Sequence, residues 1–523
     1  MTFVARRLFY FVAVAAAASA TSTVDDGVFL FAKASRSAAG NDPLTGREPP
    51  GGAEIGPEMG NRNFLDTRNA GSSLSAEENL DTILSDPIVD GIFWSAALER
   101  LTPPATDGGA ALARWRRVVN ASTVTSMEAD RCGSAMNRLL VFAEADGGGG
   151  APDGRRWRRA CARYRINVDQ IQGEVYSYRL ARLLAVDLRL PPMVVAGVNA
   201  DAPMWNGVRA EMTAAGWNDL AASFGVGGVD VGGDDGDDGD DDSKNDGVGG
   251  RRGLRHRRHH HRHYHPVVIT PWLDRLAPAY IPSEFRGEER PRQLLPVDVM
   301  EYVKDNSINH NSNNNNNQNN NNDINNNNTY DDDKNVLQHL TELVQWSDLI
   351  VFDYLTANVD RVVNNLFNRQ WNADMMNAPA HNLKLRLPPV VAAAGGSGDA
   401  AVVLLDNESG LFHSYRLLDR YGHYHDDLLR SLCVFRRETA ERVRRLARGD
   451  GGGDGGGGAS SAVDGLREAL ESQRLADELN PSSAPLVPPM PDANLNILLD
   501  RLNAVDRQMN RCLAIANGGG EAQ

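Results

Sequence analysis

The stretch from Val336 to Trp371, VLQHLTELVQWSDLIVFDYLTANVDRVVNNLFNRQW, constrains the fold more than any other. Leu337, Leu340, Leu343, Val344, Ile350, Val351 and Tyr354 recur three and four residues apart, which predicts a buried helix. The helix breaks into the polar loop TANVDRVVNN, which carries Asp360 and Asn365. Downstream, the strand-like VVLL ends at Asp406 in LDNESG. A loop aspartate after a helix, an asparagine a few positions on and an aspartate closing a strand is the order used by protein-kinase-like phosphotransferases. One carboxylate there handles the hydroxyl proton, and the others hold metal on the nucleotide phosphates. Asp360 is the candidate base. Asn365 and Asp406 are candidate oxygen ligands for a hard cation such as Mg²⁺ or Mn²⁺. Arg361 is a candidate anchor for the loop, Asp348 reads as a solvated helix residue, and Asp353 reads as a brace. The same residues admit a structural alternative, in which Asp360 and Asn365 cap a helix and Asp406 makes a turn.

The first half supplies a possible nucleotide lobe. Asn137 to Ala143 and RRWRRACARYRI read as paired strands, Val168 to Leu184 as a helix ended by Pro191 and Pro192, and MVVAGV as a further strand. Strand, strand, helix, strand is the order of a kinase small lobe. A cation on its second strand meets the nucleotide phosphates and is held by a helix glutamate. Arg163 in CARYR and Glu174 in QGE are the candidates, with plain surface positions as the alternative. No GxGxxG turn precedes these strands. Phe93 and Trp94 read as core anchors. VVITPWLDRLAPAYIPSEFR reads as strand, turn and loop in a hinge between lobes. The chain after Tyr424 reads as amphipathic helices.

Several tracts hold too few apolar side chains to offset the entropy of ordering them. The boundaries that follow are 1–20 for a signal peptide or short signal anchor and 21–77 for a disordered stem. Residues 78–302 form an N-terminal lobe and hinge, with a disordered acidic and His/Arg insert at 225–265. An Asn-rich insert spans 303–335, and a C-terminal lobe spans 336–516 with a Gly-rich insert at 449–463. The fold class expected is α+β, an atypical protein-kinase-like two-lobed fold with a small β-rich lobe and a larger helical one. The net charge of -15 opposes nucleic-acid binding, and the basic run beside the acidic block reads as solvated low complexity.

Arg6 and Arg7 precede an apolar run ending at Ala20, shorter than the roughly 20 residues a membrane span needs. It reads as a secretory signal, so the rest of the chain faces the lumen, and the membrane enters only through a possible uncleaved anchor. The cysteines Cys132, Cys161, Cys433 and Cys512 are even in number, which fits two disulfides in that compartment. The pairing 132–161 with 433–512 is favoured because each bridge closes a local unit; free buried thiols are the alternative. Asn120 and Asn327 sit in glycosylation sequons. Asn407 also sits in one, but a glycan there would occupy the proposed metal loop.

The motifs DGIFWS, NRLLVF, CARYR, QGE with VYSYRLARLL, FDYLTAN, LDNESGL and CVFR together resemble the four-jointed family, atypical kinases of the Golgi lumen related to the secretory-pathway casein kinases. The resemblance implies a Golgi-lumenal or secreted Ser/Thr kinase using ATP with Mn²⁺ or Mg²⁺. Its implied substrates are extracellular cadherin repeats of Fat and Dachsous, whose binding, and with it planar polarity and growth signalling, would be tuned. It implies Asp360 as catalytic aspartate, Asp406 as metal ligand, Glu174 as helix glutamate and Arg163 in the place of the phosphate-contacting lysine. The runner-up functions are a catalytically inactive binding protein of the same fold and a secretory-pathway glycan kinase.

Overall fold

The computed structural model describes residues 80–518 apart from 107, 130–131, 133–135, 144–157, 166, 199–201, 218–264, 288–293, 316–325, 389–399, 450–460 and 480–484. The side chains of 81–82 and 307–332 also lie outside the description. So do the signal segment, the stem and the acidic and His/Arg insert up to residue 264.

The described chain opens with α1 (Leu80–Ser85), the short pair β1 (Ile88–Val89) and β2 (Phe93–Trp94), and α2 (Ala96–Leu101). Ser95 caps α2 by accepting from the Leu98 amide. Phe93 and Trp94 are buried, as expected, but against the large lobe. The Trp94 indole donates to Ser347 Oγ at 3.2 Å, and its amide donates to the Phe435 carbonyl at 3.1 Å. The start of the expected N-terminal lobe therefore packs with the C-terminal one.

The small lobe follows: α3 (Gly108–Ala121), β3 (Val124–Ala129), β4 (Arg138–Phe142), β5 (Arg159–Arg163), α4 (Val168–Leu183), β6 (Val194–Val198), α5 (Arg209–Ala214) and β7 (His265–Pro271). Its sheet runs β3-β4-β5-β7-β6 with antiparallel neighbours. The expected strand pair is β4 with β5, and Cys132–Cys161 ties the segment before β4 to β5. β7 corrects the hinge reading. Every residue of HPVVITP is buried, and the strand sits between β5 and β6. Strands buried on both faces read as continuous apolar runs, and this one is separated in sequence from its partners by the insert. Asn167 caps α4 by accepting from the Asp169 amide.

The large lobe comprises β8 (Leu276–Tyr280), α6 (Pro296–Asn315), α7 (Asn326–Thr356), α8 (Val362–Asn368), β9 (Pro379–Arg386), β10 (Ala401–Leu404), α9 (Leu418–Arg430), α10 (Arg437–Ala447), α11 (Ala462–Ser472), α12 (Arg474–Asp477) and α13 (Asp492–Ala516). A second antiparallel sheet has the order β10-β9-β8, so residues after Leu276 also leave the expected N-terminal lobe. Helix covers part of the tract expected to be disordered, since α6 reaches Asn315 and α7 starts at Asn326. The Gly-rich insert ends earlier than expected, because Ser461 caps α11 by accepting from Asp464 N at 3.2 Å. Cys433–Cys512 joins the chain before α10 to α13. Both bridges have the expected pairing. No helix among the described residues is long and apolar enough to cross a membrane.

The C-terminal segment grips the small-lobe helix. Arg179 on α4 donates to both Asp477 carboxylate oxygens, at 2.7 and 3.0 Å. Tyr176 donates to Glu471 and accepts from the Met490 amide at 3.1 Å. These contacts fix α4, and with it Glu174, relative to the large lobe.

Candidate active site

Three segments meet where the lobes join. α4 presents Glu174, the end of β5 presents Arg163, and the turn after β10 presents Asp406. Arg163 Nη1 donates to Glu174 Oε2 at 3.1 Å and to Asp406 Oδ1 at 2.8 Å. Glu174 Oε2 also accepts from the Asn407 amide at 2.5 Å. One arginine and one glutamate thus pin the turn to both the strand and the helix. Burial alone would pull the Arg163 guanidinium down, but the charges of Asp406, Glu174 and Glu408 carry it above its ordinary value. It stays charged.

The second loop follows α7. Ala357 takes a left-handed φ of 52° where the helix stops, Asp406 takes 54° and Leu411 takes 63°. Such conformations cost a non-glycine residue about 1–3 kcal/mol each and cluster at functional sites. Arg361 holds the two loops together. It is fully buried, pairs with Asp353, and donates from Nη2 to the Leu405 carbonyl at 3.0 Å and to Asn407 Oδ1 at 2.5 Å. The Leu411 amide donates to the Thr356 carbonyl at 2.7 Å. Asn358 accepts from the Asp360 amide at 2.9 Å and from Ser409 Oγ at 3.3 Å. The anchoring read for Arg361 and the bracing read for Asp353 are both present.

Asp360 stands beside this junction, with Oδ1 buried and lacking a hydrogen-bond partner. Burial, and then the nearby Asp406 charge, raise its pKa, against Ser409, His381 and Arg361. A raised carboxylate with an uncommitted oxygen suits a general base. The helix-capping alternative fails for Asp360, because Arg361 is the N-cap of α8 and makes no side-chain cap bond.

Asn365 is held through one end of its side chain. It is buried, and its amide donates to the carbonyls of Met375 at 2.7 Å and Ala378 at 3.2 Å. These bonds brace the chain after α8 through the NH2 group and do not use the amide oxygen, the atom expected to meet metal. α8 starts at Val362, so the polar loop is shorter than TANVDRVVNN. Asp348 is also corrected. It is buried, accepts from Thr439 Oγ1 at 2.7 Å and pairs with Arg436 at 2.9 Å. Asn407 is buried with its oxygen taken by Arg361, which leaves no room for a glycan. Asn120 is exposed on α3, whereas the Asn327 side chain lies outside the described residues.

Sequence reasoning passed over Glu408 and Arg165. Glu408 lies next to Asp406 and pairs with Arg165 at 2.6 Å. Burial and the Asp406 charge push it up to about 7, against Arg165 and Arg163. The signal was spacing: Arg163 ends β5 with Arg165 two residues on, and 406 and 408 repeat that interval on the turn.

Asp360, Glu174, Asp406 and Glu408 outnumber Arg163 and Arg165, so the junction has excess negative charge. Among the described residues no three acidic, His or Cys side chains converge on one point as a formed metal cluster. The donors present, hard carboxylate oxygens with an orphaned Asp360 Oδ1 close by, nevertheless fit Mg²⁺ or Mn²⁺. Asp406 and Glu174 would hold it.

His425 is buried and hydrogen-bonded to the backbone of Ala357, where α7 ends. Burial, with Arg501 adding, lowers it from 6.5 to about 3. The folded form then binds fewer protons than the unfolded form across that window, so stability is lost as pH falls through it. Denaturant unfolding is expected to show a contribution of about 1.4 kcal/mol per pH unit. His425→Gln is expected to flatten that slope.

The fold and site define the class: a two-lobed, protein-kinase-like α+β domain. The family model described as the four-jointed box protein middle domain matches residues 110–223 and 254–515. The chain belongs to the four-jointed family. It is 33% identical over 447 residues to the extracellular serine/threonine protein kinase four-jointed of Drosophila melanogaster, covering 81% of this chain and 61% of the relative. It is 32% identical over 360 residues to human four-jointed box protein 1, covering 69% and 60%. The chain thus spans about three-fifths of the length of these curated relatives. Among solved structures, the Golgi casein kinase with Mn/ADP bound is similar at 11% identity and a TM-score of 0.38, covering 87% of this chain and 94% of that one.

Proposed function

We propose that the chain is an ATP-dependent kinase of the Golgi lumen or extracellular space, transferring phosphate to Ser/Thr hydroxyls of secreted proteins. The extracellular cadherin repeats of Fat and Dachsous are the substrates in view, and their binding in polarity and growth signalling is what phosphorylation would change. The observation that carries the reading is Arg163, bonded at once to Glu174 of the helix and Asp406 of the turn, in a site shared with Asp360. The two disulfides and the kinase name of the Drosophila relative support it.

In this reading Asp360 orients the acceptor hydroxyl and takes its proton as the oxygen attacks the γ-phosphorus, whose bond to the bridging oxygen breaks so that ADP leaves. Arg163 meets the nucleotide phosphates with a forked, permanently charged group. Glu174 and Asp406 would hold Mn²⁺ or Mg²⁺, which supplies neutralisation of phosphate charge. Arg361 keeps the two loops in register.

The test incubates the purified lumenal chain with labelled ATP, Mn²⁺ and either cadherin repeats or a glycan acceptor. Label is expected on cadherin serine or threonine and absent with Asp406→Ala. Transfer to glycan alone would give the site to a glycan kinase. Absence of nucleotide binding and of any transfer would leave a binding protein.

A further inference from the structure

We propose that Arg165 and Glu408 form a second clamp between the small-lobe strand and the metal-binding turn, making Arg165 a positioning residue. The inference rests on the turn's role in the kinase reading. Arg163 is the last residue of β5 and Arg165 lies two residues beyond it, and Asp406 and Glu408 are two residues apart in the turn. Each arginine meets one acid of the turn, Arg163 to Asp406 at 2.8 Å and Arg165 to Glu408 at 2.6 Å. The two pairs are rungs of one ladder.

The rungs differ in what lies behind them. Arg163 shares its charge with Glu174 and is the group that meets nucleotide phosphates in the reading above. Arg165 is committed to the protein. Its Nη1 donates to Asn137 Oδ1 at 2.5 Å and to the Tyr164 carbonyl at 3.0 Å, while its own carbonyl receives His265 Nε2 at 2.7 Å. That leaves Nη2 for Glu408. The contact is short, but Glu408 Oε2 has no aligned hydrogen bond, so the pair holds by charge. Glu408 is bound from its backbone side too, since its carbonyl and that of Gly410 rest on Gly173 of α4.

The division of labour follows from geometry. When nucleotide phosphates approach Arg163, the Arg163–Asp406 pair must share its charge with them. That rung would loosen as the substrate bound, leaving the turn to the bonds of Arg361 and Glu174 with Asn407 and to the second rung. Arg165 does not face this competition, so it keeps the turn seated and leaves Asp406 placed for metal.

The test is hydrogen exchange at the amides of Asn407 to Leu411 in the full chain without nucleotide, alongside calorimetric binding of ADP with Mn²⁺. Glu408→Gln, which keeps the shape and removes the charge, is expected to raise exchange at these amides. It is also expected to weaken Mn²⁺-dependent ADP binding about 10- to 100-fold, the usual cost of losing an outer-shell partner. Arg165→Ala should do the same, and the double variant should be no worse than either. The swap Arg165→Glu with Glu408→Arg should recover part of the loss. Unchanged exchange in Glu408→Gln overturns the clamp, even where Arg165→Ala fails to fold. Additive losses in the double variant overturn it too. If the turn loosens as expected but the unaltered protein binds no ADP, the clamp stands and the kinase reading falls.

Discussion

Arg179→Ala is expected to destabilise the protein by about 3–5 kcal/mol, the range for breaking one side of a buried ion pair. Arg179 and Asp477 are both 0% exposed and meet through two parallel hydrogen bonds. Removing the guanidinium leaves the buried Asp477 carboxylate without its two hydrogen-bond donors, with the Arg182 charge as its remaining support. Glu471 at 3.5 Å and Glu478 at 3.8 Å from Arg179 would lose a partner as well. The comparison is with pairs such as Arg430–Asp427, 59% and 48% exposed, where solvent limits the contribution to about 1 kcal/mol or less. Replacing both members by Arg179→Met and Asp477→Leu is expected to recover most of the loss, because desolvation and attraction nearly cancel in such pairs. Guanidinium unfolding of the two variants beside the unaltered protein checks this. A loss near 1 kcal/mol for Arg179→Ala would mean that the C-terminal segment does not hold the helix through this pair. The consequence reaches the site, because the same helix carries Glu174.

Gly173→Ala is expected to damage the site more than the fold. In a helix interior, alanine is better than glycine by about 0.5–1 kcal/mol. Here an added Cβ would fall inside contact distance of the Glu408 carbonyl oxygen and 2.9 Å from that of Gly410. Both obstacles are backbone, so no side chain can swing away, and overpacking of this kind costs about 1–3 kcal/mol. The clash therefore outweighs the propensity gain. The turn must retreat from the helix, taking Asp406 with it and stretching the Asn407 bond to Glu174. Misplacement by about 1 Å can cost about 100-fold in rate. Expected results are a modest drop in melting temperature and a loss of transfer of at least about that size. Full activity in Gly173→Ala would show that the turn is not seated on the helix as described.

Local patterns made much of this architecture legible. The helix expected from Val168 to Leu184 is found at Val168–Leu183, because its apolar spacing and the prolines beyond it are local facts. The candidates Arg163, Glu174 and Asp406 come together, because strand, helix and turn arrive in the order the spacing implies. What stayed hidden depended on distant partners. Asp348 looks solvated until Arg436 and Thr439 are folded against it. The bonds of the Asn365 NH2 group to two carbonyls after α8 were equally out of reach. The strand HPVVITP lies beyond a long insert from the strands it pairs with, so sequence neighbours gave it no place in the sheet. β3, with the sequence VTSMEA, was missed because its burial is slight and its pattern polar.

Phosphate transfer from labelled ATP by the unaltered protein, set against Asp360→Asn under the same Mn²⁺ conditions, is the most direct measurement. Asparagine keeps the shape of the side chain and removes its capacity to take a proton. Transfer is expected in the unaltered protein and is expected to fall about 10²- to 10⁴-fold in the variant, with ADP binding retained. Equal transfer by the two proteins, or none by either with an acceptor present, would contradict the assignment of Asp360 as the base.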